Sequence, residues 1–310
     1  MTDAKPAVLV TGADLAAPAL DLLRDFEVVY AGKAPGVDDI VAHCRRSDPI
    51  AIIVRYGRVG AAAMDAAPSL KVISKHGSGT DTIDKEAAAA RGVRVVAAAG
   101  ANATAVAEHA LALLLACAKS VPQLDRRMHE GQWDKATHKS VELEGRTLGL
   151  VGLGAIGARV AAVAHAMGMR VRGFDPYAKD VPSCVERVAL DVILRESDAI
   201  SLHCPLTPET ANLLNAQSLA TCRQGVIVVN TARGGLIDEA ALLAAIRTGQ
   251  VSHAGLDSFA VEPMTAGHPF HGEHRITLSP HIGGVTADAY VKMGVAAARN
   301  VLNVLNVLHG

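Results

Sequence analysis

The sequence predicts an α/β protein built from two doubly wound parallel-sheet domains, and three observations carry that reading. Short β-branched runs ending near a glycine alternate with alanine-rich helical stretches almost throughout. The rhythm is interrupted once, by a long apolar helical segment that starts near residue 103, and then resumes. The length of 310 residues is long for one core and comfortable for two.

Taken in order, "AVLVTG", "EVVYAG", "IAIIVRYG", "KVISKHG" and "VRVVAAAG" read as buried strands of a parallel sheet. Helical patterns lie between them, as at residues 16–24 and 85–91. "ATAVAEHALALLLACAKSV" carries apolar residues at helical spacing, with Asn102 placed as its N-cap. The charged amphipathic stretch "QLDRRMHEGQWDK" follows, and a second strand–helix series opens at "RTLGLVGLGAIGARVAAVAHAMGMRVRGFDPYA". The last stretch, "ADAYVKMGVAAARNVLNVLNVL", is a helix with no strand after it.

Composition narrows the function classes. Half of the residues are hydrophobic, 20% are charged and 3% are aromatic, which suits helices packed on sheets and not an aromatic platform for nucleic acid or sugar. The 30 Lys and Arg nearly cancel the 31 Asp and Glu, and no long charged run appears, so neither nucleic acid nor a membrane surface is expected as a partner. Five cysteines without a C-x-x-C pair point to a reducing compartment. "MTDAKPAVLVTG" is too short an apolar start for a signal peptide, and "AVAEHALALLLACAK" is broken by Glu108 and His109 and too short to span a bilayer. The expectation is a soluble, cytoplasmic protein.

One motif points to a cofactor. In "LGLVGLGAIGARVA" an apolar strand leads into Gly152-x-Gly154-x-x-Gly157 and a helix-forming run leads out, with Asp175 ending the next strand in "RVRGFDP". Gly152 allows the tight turn, Gly154 lets backbone approach a pyrophosphate, and Gly157 permits close helix–strand packing. The free N–H groups of Ala155 and Ile156 and the helix dipole attract phosphates. Asp175 is placed to accept hydrogen bonds from both ribose hydroxyls and to repel a 2′-phosphate, so NAD is favoured over NADP. "VLVTGADL", at the first strand, has a single glycine and supports nothing comparable.

A second stretch raises a chemical question. "SPHIGG", residues 279–284, sets His281 beside two glycines, Gly283 and Gly284, that leave room for a flat ring. An imidazole titrates near neutrality and can serve as base in one direction and acid in the other. To work as a proton carrier it needs an orienting acid, a substrate clamp and a redox partner.

"GLGAIG", "FDPY", "LHCPLTPET", "VIVVNTARGGLIDEAAL", "AGLDSFAVEP" and "LSPHIGG", preceded by "KHGSGTDTID" and "VAEHALALLL", resemble in order and spacing the D-isomer-specific 2-hydroxyacid dehydrogenases. That family includes phosphoglycerate, glycerate/hydroxypyruvate, D-lactate and formate dehydrogenases. The resemblance implies a flavodoxin-like substrate domain of residues 1–101 and 287–310 and a Rossmann NAD-binding domain of residues 102–286. It implies a catalytic set of His281, its acid partner Glu262, and Arg233 holding the substrate carboxylate. It places His203, Cys204, Pro205, Thr210, Thr231, Ala232 and Asp257 along the nicotinamide and its ribose. Gly77, Ser78 and Gly79 match the loop whose N–H groups receive the substrate carboxylate, and Arg55 matches a position where some relatives bind an anionic group. It also implies a homodimer built through the segment that holds Trp133.

The substrate stays open between phosphoglycerate dehydrogenase-like and hydroxypyruvate or glyoxylate reductase activity. The competing class is an NAD(H)-sensing regulatory protein of the same fold. Arg55, with Tyr56 and Arg58, is equally well read as a surface cation. His268, His271 and His274 have metal-like spacing but no cysteine and no helical i, i+4 face, so no metal is expected. Cys204 and Cys222 read as small buried hydrophobes, and His109 as a core or interface residue. The sequence departs from the family at "AAAGAN", where Ala97 and Ala99 replace an asparagine and a proline, and at Ala155, where many relatives carry a polar residue. The chain ends at residue 310 without the C-terminal regulatory domain of many phosphoglycerate dehydrogenases, so amino-acid feedback is not expected.

Overall fold

The computed structural model describes residues 5–309. The elements run β1 (Ala7–Val10), α1 (Ala17–Leu22), β2 (Glu27–Tyr30), α2 (Val37–Ser47), β3 (Ala51–Val54), α3 (Ala61–Asp65), β4 (Val72–Lys75), α4 (Lys85–Ala90) and β5 (Arg94–Ala97). They continue with α5 (Ala103–Lys119), α6 (Val121–His129), β6 (Thr147–Val151), α7 (Ala155–Ala166), β7 (Arg170–Phe174), β8 (Val185–Arg187), α8 (Leu190–Glu196) and β9 (Ala199–Leu202). Last come α9 (Ala216–Thr221), β10 (Val226–Asn230), α10 (Glu239–Thr248), β11 (Val251–Leu256), β12 (Ile276–Leu278) and α11 (Ala287–His309). The described chain forms two compact units, one up to Asn102 together with the stretch from Val285 onward, the other Ala103–Gly284.

The first unit is a five-stranded sheet in the order β2-β1-β3-β4-β5, every pairing parallel. Side chains of a strand alternate between faces, so consecutive residues feed two cores. Val8, Val10 and Ile53 join Ala19, Leu23, Ala297, Val301 and Leu305 on the face covered by α1 and α11. Leu9, Ile52 and Val54 join Ile40, Cys44 and Met64 on the face covered by α2 and α3. A sheet buried on both faces explains why these strands read as unbroken apolar runs.

The second unit is a seven-stranded parallel sheet in the order β12-β11-β10-β9-β6-β7-β8. Leu148, Leu150 and Val229 face the α5 and α7 side, where Ala107, Ala110, Ala161 and Ala164 are buried. Alanine at those positions lets helix backbones approach the sheet closely. Val151, Ile200 and Val228 face Leu219, Leu242 and Ile246 on the other side.

Strand order reverses between β1 and β3 in the first unit and between β6 and β9 in the second, and ligands of such sheets bind outside the carboxyl ends of the strands at the reversal. The apolar segment expected as one long helix ends at Lys119; Ser120, at φ +54°, turns the chain into α6, which leaves at 62° to α5. Among the described residues no single helix is long and apolar enough to cross a membrane.

Candidate active site

The nucleotide cradle begins where β6 ends. Gly152 takes φ +98°, a conformation that penalises any side chain, and its N–H donates to Phe174 O at 2.8 Å. A Cβ there would lie 2.6 Å from the carbonyl carbon of His203, so the ends of β6 and β9 pack backbone to backbone at the reversal. A Cβ at Gly157 would lie 2.1 Å from Gly152 O, which brings α7 against the turn. Gly154 is different: it caps α7 in an extended conformation with nothing within 4 Å of its Cβ position. No side chain caps that helix start and its first turn has no acid, so the N–H groups of Ala155, Ile156 and Gly157 point at open space with positive potential. A pyrophosphate fits this cradle.

Asp175 is already busy. Its Oδ2 accepts the Leu153 N–H at 2.9 Å, and its Oδ1 accepts those of Tyr177 and Ala178 at 2.8 and 3.0 Å. A carboxylate has about four in-plane acceptor sites, so one remains at Oδ2 for a ribose hydroxyl where the sequence suggested two bonds. The carboxylate therefore also pins the glycine turn to the end of β7.

After β9, the His203 N–H donates to Val151 O at 2.7 Å and its ring Nε2 meets Ser201 Oγ at 2.9 Å. Burial pushes its pKa down to about 4, so the ring is neutral at pH 7. Burial likewise pushes the Cys204 thiol up to about 11, so it is no thiolate. The Thr210 hydroxyl is used inside its own loop, donating to Pro205 O at 2.7 Å and accepting the Thr207 N–H at 2.8 Å.

The proton-carrying group sits on the turn after β12. His281 adopts φ +53°, and its Nδ1 lies 2.7 Å from Glu262 Oε2. A carboxylate on Nδ1 selects the tautomer with the proton there and leaves the Nε2 lone pair outward. Glu262 is oriented in turn, because Oε1 accepts the Phe259 N–H at 2.9 Å. Both side chains are partly exposed, as a group that meets a ligand must be. The backbone beyond His281 is gripped by Asp257, which is 2% exposed. One of its oxygens accepts the Ser279 hydroxyl at 2.6 Å and the Ile282 N–H at 2.9 Å, and the other accepts the Gly283 N–H at 2.8 Å. His109 Nε2 reaches Ser279 Oγ at 2.8 Å and lies 3.3 Å from Asp257.

Arg233 follows β10 on a loop braced by Asn230, a fully buried amide whose Nδ2 donates to Arg233 O at 2.8 Å and whose Oδ1 accepts the Ala232 N–H at 3.0 Å. Thr231 beside it is buried. A Cβ on Gly234 would fall 1.9 Å from the carbonyl carbon of Phe259. The loop that carries Arg233 thus rests directly on the loop that carries Glu262.

Asn230, Ser279 and His109 were not singled out as site residues from the sequence. Their one signal was a polar side chain where the pattern called for a core residue, as in "VIVVN".

In the first unit, Gly77 takes φ +136° after β4, and the Ser78 hydroxyl donates to Asn102 Oδ1 at 3.3 Å. Arg55, at the end of β3, is no surface cation: its side chain is 11% exposed and ion-paired with Asp14. The three spaced histidines turn to separate partners, His268 to Glu239, His271 to Ala266 O and His274 to Arg126.

Residues 111–283 match the family model for the D-isomer specific 2-hydroxyacid dehydrogenase, NAD binding domain. The chain is 42% identical over 301 residues to a D-3-phosphoglycerate dehydrogenase of Mycobacterium tuberculosis, covering 96% of this chain but only 56% of that protein, so it spans little more than half of that relative's length. It is 41% identical over 259 residues to a hydroxypyruvate reductase of Thermotoga maritima, covering 83% and 85% of the two chains. The crystal structure of the TT0316 protein from Thermus thermophilus superposes with a TM-score of 0.88 at 38% identity, over 97% of each chain. Fold, glycine cradle and sequence agreement converge, and the chain belongs to the D-isomer specific 2-hydroxyacid dehydrogenase family.

Proposed function

We propose that the protein is an NAD-dependent oxidoreductase interconverting a D-2-hydroxy acid and its 2-oxo acid. The observation that carries the reading is the His281–Glu262 pair at 2.7 Å, on an imidazole whose side chain is 45% exposed. NAD, when bound, supplies the acceptor for the hydride that leaves C2. His281 Nε2 takes the C2 hydroxyl proton in oxidation and returns it in reduction, while Glu262 holds Nδ1–H and balances the charge that forms on the ring. Arg233 binds the substrate carboxylate through paired hydrogen bonds and so fixes the face of C2 presented. In the first unit, the N–H groups of Gly77, Ser78 and Gly79 form a carboxylate-binding loop.

The cradle at Gly152, Gly154 and Gly157 receives the pyrophosphate, and Asp175 takes a ribose hydroxyl and disfavours a 2′-phosphate. His203, Cys204, Pro205, Thr210, Thr231, Ala232 and Asp257 line the nucleoside, the last three from loops already held rigid. In this reading the first unit is the substrate domain and the second the cofactor domain. The free cysteines suit the cytosol. Trp133, 74% exposed, with Val121 and Met128 also exposed, suits a homodimer built through that segment.

Purified protein with NAD and a panel of D-2-hydroxy acids, and with NADH and the matching 2-oxo acids, tests the reading. Turnover that is specific for the D isomer and lost in His281→Asn is expected. Tight NADH binding with no turnover across the panel would replace it with a nucleotide-sensing protein.

A further inference from the structure

The strand reversal of the first unit, between β1 and β3, holds a cluster that the chemistry above does not use. Asp14 follows β1 and Arg55 ends β3. Arg55 Nη1 donates to Asp14 O at 2.6 Å and also to the Asp14 carboxylate. Gly12 makes room for this: a Cβ there would sit 3.0 Å from Arg55 Cδ and 3.3 Å from Nη1. The guanidinium lies 4.9 Å from the ring centre of Tyr290 and 5.3 Å from that of Tyr56. Tyr30 is close enough that, after burial, the Asp14 charge is the next influence raising its phenol pKa. Three of only four tyrosines in the chain therefore gather at this point.

Asp14 offsets the charge of Arg55. Asp14 is held below the usual carboxylate range, first by its hydrogen bond to Arg55 and further by the Tyr290 hydroxyl. His76, its ring tilted at 45° to that of Tyr290 with the ring centres 5.7 Å apart, is 8% exposed, and burial with the nearby Arg55 pushes its pKa down to about 4, so it adds no charge at pH 7. Lys75 directs its ammonium to the Arg55 carbonyl oxygen at 3.2 Å, behind the guanidinium. An anion arriving at Arg55 meets the Asp14 carboxylate, which already takes its Nη1. Phosphate or carboxylate recognition needs the reverse, a guanidinium with its fork available.

We propose that Asp14 and the surrounding tyrosines make this a charge-compensated subsite, which takes an uncharged side chain of the 2-hydroxy acid and rejects a phosphate or second carboxylate. The inference rests on the oxidoreductase reading and names its substrate class. It separates this chain from the phosphoglycerate dehydrogenases that it resembles by identity alone.

The test compares the protein with its Asp14→Asn and Asp14→Asn/Arg55→Ala variants. The substrates are D-2-hydroxy-4-methylpentanoate and D-2-hydroxy-3-phenylpropanoate, against D-3-phosphoglycerate and D-malate. Expected are a kcat/KM preference of the parent protein for the uncharged pair of at least about tenfold and a rise of the anionic-to-uncharged ratio by at least about tenfold in Asp14→Asn, since removing one like charge from contact is worth that much. The double variant should lose the gain. A parent that prefers the anionic pair, or an Asp14→Asn ratio that does not move, overturns the proposal. Titration with D-3-phosphoglycerate, read as a dissociation constant, runs alongside. If no compound turns over, the oxidoreductase reading fails, and the subsite is still decided by whether Asp14→Asn binds D-3-phosphoglycerate at least about tenfold more tightly than the parent.

Discussion

The Gly283 N–H donates to the Asp257 carboxylate across 2.8 Å, and that bond ties the turn after β12 to the end of β11. His281 sits two residues before Gly283 with a positive φ, so its ring direction is set by a backbone that Asp257 holds from both sides of Ile282. Asp257→Ala would leave the backbone N–H groups of Ile282 and Gly283 without their acceptor. Each orphaned buried group costs about 1–3 kcal/mol, so the variant should lose several kcal/mol of stability or rearrange the turn. Urea unfolding gives the first outcome, and faster amide exchange across residues 279–284 the second. Neither change would show that the turn is held by other contacts.

The acid–base pair makes a sharper prediction. His281→Asn should lower kcat about 10²–10⁴-fold, the usual contribution of a positioned proton carrier. Glu262→Gln keeps the shape near Nδ1 but loses the charge, and kcat should fall about tenfold or more. A Glu262→Gln variant with the parent's kcat would remove Glu262 from the mechanism.

The glycine cradle separates folding from binding. Gly152→Ala forces a side chain onto a φ of +98° and into backbone 2.6 Å away, and should cost roughly 3 kcal/mol or more. Gly154→Ala meets nothing within 4 Å and should change stability by less than about 0.5 kcal/mol. Its methyl projects to where phosphates approach, so NADH, followed by fluorescence titration, should bind at least about tenfold more weakly. Unchanged NADH affinity in Gly154→Ala would move the pyrophosphate elsewhere.

Two buried imidazoles set an acid limit. His76, through burial and then Arg55, and His203, through burial, have pKa values pushed down to about 4 from the 6.5 of a free imidazole. Between those values the unfolded chain binds more protons than the folded one, so stability falls as pH falls. It is complete above pH 6.5 and lost toward pH 4. By pH 5 each imidazole should have cost roughly 2 kcal/mol. Urea midpoints by circular dichroism at pH 7.5, 6 and 5 check this, and His203→Gln should flatten the slope. A midpoint constant over that range would mean that these rings are charged in the folded protein.

Much of the second unit was legible in the sequence because its constraints are local. Gly152 and Gly157 are demanded by a turn and a helix within six positions of each other, and Asp175 ends the adjacent strand. What the sequence hid are contacts made by loops far apart in the chain. Nothing near Arg55 announces Asp14, and nothing near His281 announces His109, because each meeting is arranged by strand order. The end of the long helix at Lys119 was legible, because the apolar spacing gives way there to a charged stretch. The left-handed turn at Ser120 was not, since serine rarely adopts that conformation and the residue type gives no warning.

Because α11 returns to the first unit after the whole second unit has been made, the two do not finish in the order they are synthesised. Val8, Val10, Ile53 and Val72 need Ala297, Val301 and Leu305 to close their face. At a translation rate of about 5–20 residues per second, roughly 10–40 s separate the emergence of that sheet from the arrival of its last helix. During this interval the nascent chain carries a half-covered apolar sheet on the ribosome, a target for chaperones, and a stall inside the second unit would prolong it.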